Sequence, residues 1–102
     1  MSIASVNLET ANGNLHVSSG NTAVTVVYIT NYSEDDAEFT LWALSSGETA
    51  TNTTMIYNAV PVYAGDTYYL DLEKLIYNDN DALQANANIN GRLSATVSYI
   101  AV

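Results

Sequence analysis

The 102-residue sequence contains no cysteine, and it has only one proline, one histidine and two basic residues. Without cysteine there can be neither disulfide bonds nor a metal site built from thiolates. The stability of the folded chain therefore has to come from the burial of apolar surface. A chain of this length can bury roughly two thirds of the surface that its unfolded form exposes, which predicts a single domain over residues 1–102.

Positive charge is almost missing, because only Lys74 and Arg92 oppose 11 carboxylates, and the net charge is −9. Proteins that bind nucleic acid or anionic lipid neutralise phosphate groups with clustered basic residues. Neither nucleic acid nor a membrane is therefore expected as a partner. Residues 1–13 lack the basic start and the apolar run of a signal peptide, and no stretch approaches the roughly 18 apolar residues of a membrane span. We expect a soluble protein that folds in a cytoplasm.

The residue types that usually carry acid–base or nucleophilic catalysis are scarce. His16 lies in a short predicted strand, and we expect an exposed or sheet-edge histidine there. Lys74 is flanked by Asp71 and Glu73, which are expected to keep its amine paired and charged. No Gly-x-Ser-x-Gly motif is present. The sequence predicts no catalytic residues, and an enzyme is the least expected class of function.

Carboxylates and amides are concentrated in one short segment, where Asp79 and Asp81 alternate with Asn78 and Asn80. Such a set of oxygen ligands suits a calcium ion. The segment nevertheless lacks the later glycine and glutamate that an EF-hand loop requires. Asp and Asn also form turns by hydrogen bonding to nearby backbone, and we favour that interpretation. No metal or other cofactor is predicted, while calcium near Asp79 and Asp81 stays an open alternative.

The dominant hydrophobic period is two, which is typical of β-strands. Residues 22–30 and 38–44 are crowded with β-branched and aromatic side chains. Alternating patterns predict two more strands over residues 83–89 and 92–102. Further strands are predicted at residues 2–8, 14–17, 54–62 and 68–72. Pro61 suits the end or the edge position of its strand, because proline cannot donate a hydrogen bond to a neighbouring strand.

Turn-forming residues recur roughly every 8–12 residues, with no long helical pattern between them. This spacing predicts an all-β fold, an antiparallel β-sandwich that is either jelly-roll-like or immunoglobulin-like. Residues 1–21 form either an extended N-terminal arm or edge strands. Asn90 and Gly91 are a strong two-residue hairpin signal, and they predict that the last two strands pair with each other. The acidic residues 34–36 are expected in a solvated hairpin loop.

Eight tyrosines and one tryptophan are many for so small a core. Tyrosine combines apolar area with a polar tip and is enriched at protein interfaces. Tyr68 and Tyr69 are neighbours on one strand and face opposite sides, so at least one of them is exposed or covered by a partner. Tyr32, Tyr63 and Tyr69 are the predicted interface residues. The alternative is that the tyrosines serve only as strand formers.

Several segments of the chain resemble one known group of proteins. These segments are residues 29–33 (ITNYS), 60–70 (VPVYAGDTYYL), 72–77 (LEKLIY), 80–85 (NDALQA) and 95–100 (ATVSYI). Together they resemble small virion structural proteins of tailed bacteriophages, with a Thr-Asn turn after the first long strand, an Ala-Gly-x-Thr turn and a closing strand of this type. Asn80 stands where that family often has glycine. The resemblance covers most of residues 22–102, and the first twenty residues take no part in it.

The resemblance implies a structural component of the virion without a catalytic site. We expect a capsid decoration, or cement, protein that is assembled in the host cytoplasm and binds the major capsid protein of the shell through strand edges and aromatic contacts. A neck, tail or fibre-attachment protein is the alternative within the same class. Sparse edge protection also predicts a homo-oligomer. A second alternative is a carbohydrate-binding β-sandwich module, in which exposed tyrosines stack on sugar rings.

Overall fold

The computed structural model describes residues 2–71 and 76–102, and these residues form nine β-strands and no helix. The strands are β1 (Ser2–Leu8), β2 (Gly13–Val17), β3 (Thr22–Asn31), β4 (Ala37–Leu44), β5 (Met55–Val62), β6 (Thr67–Asp71), β7 (Ile76–Tyr77), β8 (Ala82–Ala87) and β9 (Leu93–Ala101). The predicted all-β class is confirmed. The predicted strand at residues 68–72 ends at Asp71 as far as the described part of the chain extends, because Leu72 lies outside the described residues.

The strands form two antiparallel sheets that pack face to face. Sheet 1 has the order β1-β9-β3-β6, and sheet 2 has the order β2-β8-β4-β5. The short strand β7 also belongs to sheet 1, because Thr22 of β3 pairs with Tyr77 on one side and with Ala101 of β9 on the other. Strands β6 and β7 therefore lie along the same edge of β3.

The order of the strands is that of a jelly roll. When β6 and β7 are counted as one position, the two sheets have the orders 1-8-3-6 and 2-7-4-5, which is the pattern of two Greek keys wound into a double sheet. An immunoglobulin-like sandwich has a different order. The predicted β-sandwich is thus confirmed in its jelly-roll form. Residues 2–17 provide one edge strand of each sheet, β1 and β2.

The prediction that the last two strands form a hairpin is wrong. Strand β8 pairs with β2 and β4, whereas β9 pairs with β1 and β3 in the other sheet. The connection over residues 88–92 spans about 16 Å when extended, which is enough to cross the roughly 10 Å between packed sheets. The loop over residues 32–36 is exposed apart from the half-buried Ser33, but it also crosses between the sheets and is not a hairpin loop.

Gly91 has the positive φ that the sequence predicts, at 80°, although it lies in a crossing loop rather than in a hairpin. A Cβ atom at this position would meet open space, so substitution is opposed by the backbone conformation alone.

We expect Gly91→Val to lower the free energy of unfolding by about 1–3 kcal/mol. Gly13→Val is the matched control, because Gly13 also has open space around it but has no positive φ. Urea unfolding of both variants measures the difference, and equal losses would contradict the conformational explanation.

The core lies between the two sheets and follows the alternation of the strands. On β8 the inward residues are Leu83, Ala85 and Ala87, while their neighbours are only half-buried. Fully buried members of this core include Leu8, Val27, Ile29, Phe39, Leu41, Leu93 and Val97. Phe39 on sheet 2 joins the sheets directly, because the centroid of its ring lies 5.4 Å from that of Tyr68 on sheet 1.

Candidate functional site

Among the side chains that the structure describes, the charged ones are distributed very unevenly. Residues paired across neighbouring strands of a sheet point to the same face, so the register identifies what each face presents. The described residues that point outward from sheet 1 include Ile3, Ser5, Asn7, Val26, Tyr28, Thr30, Thr67, Tyr69, Ser94, Thr96 and Ser98. None of these eleven residues is charged, and we call this set of residues the uncharged face. Asp71 lies in register with Val26, but its side chain is not described.

Tyr69 lies on the uncharged face beside Tyr28, and their ring centroids are 5.8 Å apart. Both side chains are exposed, Tyr69 by 60% and Tyr28 by 42%. The prediction that at least one of Tyr68 and Tyr69 is exposed is confirmed. Tyr68 turns the other way and contacts the core, in agreement with its pairing with Ile29.

Hydroxyl groups lie in pairs on this same face. The side-chain oxygens of Ser5 and Thr96 are 3.1 Å apart, and those of Thr30 and Thr67 are also 3.1 Å apart. The Ser5–Thr96 pair is in the same cross-strand row as the two tyrosines. The uncharged face therefore presents two aromatic rings with neutral hydrogen-bonding groups around them.

Tyr32 and Tyr63, the other two predicted interface residues, lie at one end of the sandwich instead. The loop that carries Tyr32 and the turn that carries Tyr63 are joined, because the carboxylate of Asp36 accepts a hydrogen bond from the Ala64 amide at 2.9 Å. Both tyrosines are exposed. The structure thus brings Tyr32 and Tyr63 to one end and places Tyr69 on the uncharged face, next to a Tyr28 that the sequence analysis did not select.

The side chain of Asn31 connects the segments at this end of the molecule by hydrogen bonds. Its side chain is 1% exposed and makes four hydrogen bonds. Its Nδ2 donates to the carbonyl oxygens of Asp35 at 2.8 Å and Val62 at 2.9 Å, which lie in the β3–β4 loop and at the end of β5. Its Oδ1 accepts from the amide and from the hydroxyl of Ser33. The positions of Tyr32 and Tyr63 therefore depend on one buried amide.

Arg92 neutralises part of the acidic loop at the same end. Its guanidinium lies 3.6 Å from the Asp35 carboxylate and donates to the Asp36 carbonyl oxygen at 2.8 Å. An exposed pair of this kind contributes at most about 1 kcal/mol. Lys74 and its predicted partner Glu73 lie outside the described residues.

Asp79 and Asp81 lie in the turn between β7 and β8, and their carboxylates also bind the β2–β3 and β4–β5 connections. The Asp79 carboxylate accepts from the Gly20 amide, and the Asp81 carboxylate accepts from the amides of Ser46 and Asn78, all at 2.8–2.9 Å. The predicted turn is confirmed, since these oxygens bind backbone amides of the turn and of neighbouring loops. Within residues 2–71 and 76–102 there is no group of three or more His, Cys, Asp and Glu side chains placed to hold a metal ion.

His16 lies on the edge strand β2, which is one of the two predicted alternatives, and its side chain is buried rather than exposed. The register of β2 against β8 shifts between Asn14 and His16, and this bulge turns both Leu15 and His16 inward. The imidazole Nε2 lies 2.8 Å from the Thr22 hydroxyl, and the ring packs at 4.4 Å between centroids against Tyr99. Burial lowers the pKa of His16 below its ordinary value of 6.5.

The lowered pKa of His16 makes stability depend on pH. Because the unfolded chain binds the proton more readily than the folded chain, the contribution of neutral His16 is complete above pH 6.5 and declines as the pH falls below that value. We expect the free energy of unfolding to decrease as the pH falls from 7.5 to 5.5. His16→Gln is expected to remove the part of this pH dependence that comes from His16. Urea unfolding of both proteins at matched pH values measures it, and parallel pH profiles would contradict the assignment.

Comparisons of the chain with family models, with curated proteins and with solved structures found no match. Nothing in the described ranges forms a helix long and apolar enough to cross a membrane.

Proposed function

We propose that the protein is a structural component of a bacteriophage virion, and more specifically a capsid decoration protein that binds the major capsid protein of the assembled shell. The resemblance of residues 22–102 to small virion proteins supports this proposal. The jelly roll is compatible with it, because this architecture recurs in viral capsid domains, although it also occurs in lectins. Architecture alone does not decide function, and the composition of the surface is the more specific observation.

The observation that carries the proposal is the uncharged face of sheet 1. The net charge is −9, yet the described side chains of this face are all neutral, and two of them are exposed tyrosines. The centres of protein interfaces are depleted in charged residues and enriched in tyrosine. A flat face with this composition suits the broad, repetitive contact that a decoration protein makes with a shell. The acidic loops at the ends of the sandwich would keep the protein from adhering to DNA.

A binding assay with separated particles tests the proposal. The purified protein is mixed with capsids and with tails of the source phage, and bound protein is located by electron microscopy. Binding at regular positions over capsids is expected. Binding confined to the neck or tail would favour the neck, tail or fibre-attachment alternative, and binding to neither particle would contradict a virion role.

Two pairs of variants identify the surface that binds. Tyr28→Ser with Tyr69→Ser removes both rings from the uncharged face, and Tyr32→Ser with Tyr63→Ser removes both rings from the end of the sandwich. We expect the first pair to abolish capsid binding and the second pair to retain it. The opposite result would transfer the contact to the end of the sandwich.

The arrangement of Tyr28 and Tyr69 also favours a second candidate, a carbohydrate-binding module. Paired rings that are flanked by hydroxyl groups offer apolar faces for a sugar ring and hydrogen-bonding partners for its hydroxyls. A ligand at a hundredfold excess over its Kd would stabilise the fold by about 2.7 kcal/mol. A glycan array, followed by thermal unfolding with the bound sugar and with or without calcium, tests this candidate. The absence of both binding and stabilisation would exclude it.

A further inference from the structure

In the part of the chain that the structure describes, each of the two sheets leaves an unpaired edge on both sides, and most of these edges are interrupted. Strand β2 is five residues long and bulged, and the edge beside β3 consists of β6 and β7, with five and two described residues. Strand β5 contains Pro61, a positive φ of 49° at Ala59 and two shifts of register against β4. Short, bulged or proline-containing edges resist the addition of another strand. These three edges are therefore poor templates for pairing.

Strand β1 is different. All seven of its residues pair with β9 in an unbroken register, from Ser2 with Tyr99 to Leu8 with Leu93. The strand contains no proline and no charged residue, and Ile3 is 70% exposed. A regular, uncharged edge with exposed apolar side chains is a template for another strand.

A groove beside β1 adds a second reason to expect another strand there. It lies between β1 and β2, has a volume of about 200 Å³ and is lined by Val6, Leu8, Asn14, Leu15 and Ala85 among others. Val6 pairs with Ala95, which is buried in the core, so Val6 belongs to the inner face of sheet 1, yet it is 41% exposed. A strand added to β1 would continue this inner face and cover the groove with its alternate side chains.

We propose that β1 pairs antiparallel with β1 of a second copy of this chain, so that two copies of sheet 1 form one continuous sheet across a two-fold axis. The axis passes next to Ser5, the middle residue of the strand. This register places Ala4 opposite Val6 of the second copy on the inner face and Ile3 opposite Asn7 on the outer face. A register shifted by one residue would put inner residues opposite outer ones.

The distribution of charge favours the antiparallel arrangement and a second copy as the partner. Glu9 follows β1 directly, and antiparallel pairing around Ser5 separates the two Glu9 residues by about 27 Å along the strand, whereas parallel pairing would place them side by side. Both pairing segments are neutral, and two-fold symmetry is the commonest form of self-association. The net charge of −9 on each copy opposes association, so added salt is expected to strengthen the dimer.

This inference does not rest on the virion role, because self-association requires no phage component. Analytical ultracentrifugation of the full chain, at low and at moderate salt, measures the dimer. We expect a concentration-dependent dimer that is stronger at moderate salt. A protein that remains monomeric at millimolar concentration in both salts would overturn the proposal.

Charge-swap variants at Ser5 test the edge and the register. Ser5 lies on the outer face, so Ser5→Lys and Ser5→Glu leave the core unchanged, and like charges opposite each other at the axis oppose pairing. Each variant alone is expected to weaken the dimer at least tenfold, and an equal mixture of the two is expected to restore it as a heterodimer. Thr67→Lys on β6 is the matched control and should dimerise as the parent does. Dimerisation that is unaffected by Ser5→Lys, or a mixture that stays monomeric, would overturn the proposal.

Cross-linking provides an independent readout, because the chain has no cysteine of its own. Ser5→Cys places one thiol on each copy at the axis, within the reach of a disulfide. Mild oxidation is expected to give a covalent dimer for Ser5→Cys and none for Thr67→Cys at the same concentration. Equal yields for the two variants would show that the contacts are not specific to β1. Circular dichroism confirms that each variant is folded.

Discussion

Asn31→Leu is expected to lower the free energy of unfolding by about 3 kcal/mol or more, because it leaves several polar groups at the end of the sandwich without their partner. The two carbonyl oxygens that the Asn31 amide now satisfies belong to Asp35 and Val62, in the β3–β4 loop and at the end of β5. Leucine has a similar volume, so the loss reports hydrogen bonding rather than a cavity. Urea unfolding, followed by tyrosine and tryptophan fluorescence, measures the change.

Asn31→Asp separates the donor role of this side chain from its acceptor role. An aspartate retains the oxygen that accepts from Ser33, but it presents a second oxygen to two carbonyl groups, beside an acidic loop. We expect a loss of stability at pH 7 that is partly recovered at acidic pH, where a protonated carboxyl group donates again. Asn58→Asp, at an exposed position on β5, adds the same charge and serves as the control. Equal effects of the two substitutions would show that charge alone is responsible.

Phe39→Ala is expected to cost about 3–5 kcal/mol, because it empties the centre of the core between the two sheets. Phe39 is 1% exposed, and its ring contacts Tyr57 on its own sheet and Tyr68 on the opposite sheet. Since a domain of this size has a total stability of roughly 5–15 kcal/mol, the variant is expected to be partly or wholly unfolded at 37 °C.

Two further variants separate the loss of buried volume at Phe39 from the loss of an aromatic ring as such. Phe39→Leu retains most of the buried volume and is expected to cost about 1–2 kcal/mol. Tyr69→Ala removes an aromatic ring of similar size from the exposed face and is expected to cost about 1 kcal/mol. Thermal and urea unfolding rank the three proteins. A Tyr69→Ala variant as unstable as Phe39→Ala would contradict the assignment of Phe39 to the core.

The sequence predicted the strands well because their pattern is local. The alternation of apolar and polar residues located β8 and β9, and the run over residues 22–30 differs from β3 by one residue. Pro61 correctly indicated an edge strand, since β5 is the last strand of sheet 2. The exposure of at least one residue of the pair Tyr68 and Tyr69 followed from alternation alone.

The pairing of strands could not be predicted, because it depends on contacts between residues far apart in the chain. Asn90 and Gly91 determine a local backbone conformation, and this conformation serves a crossing loop as well as a hairpin. The bulge in β2 also has no local signal, and it buries the side chain of His16 although the residue lies on an edge strand. Tyr28 was missed because it lies within a continuous apolar run, although the buried neighbours Val27 and Ile29 imply that the residue between them faces outward.

The central position of β9 has a consequence for how the protein folds. Strand β9 comes after every other strand in the chain, yet it lies between β1 and β3 and joins them. Its pairing with β1 connects residues at nearly opposite ends of the sequence, such as Ser2 and Tyr99. Sheet 1 therefore stays incomplete during synthesis until β9 has left the ribosome. The nascent chain therefore exposes an edge of β3 until β9 has been synthesised. Topologies dominated by such distant contacts then fold on the timescale of milliseconds to seconds.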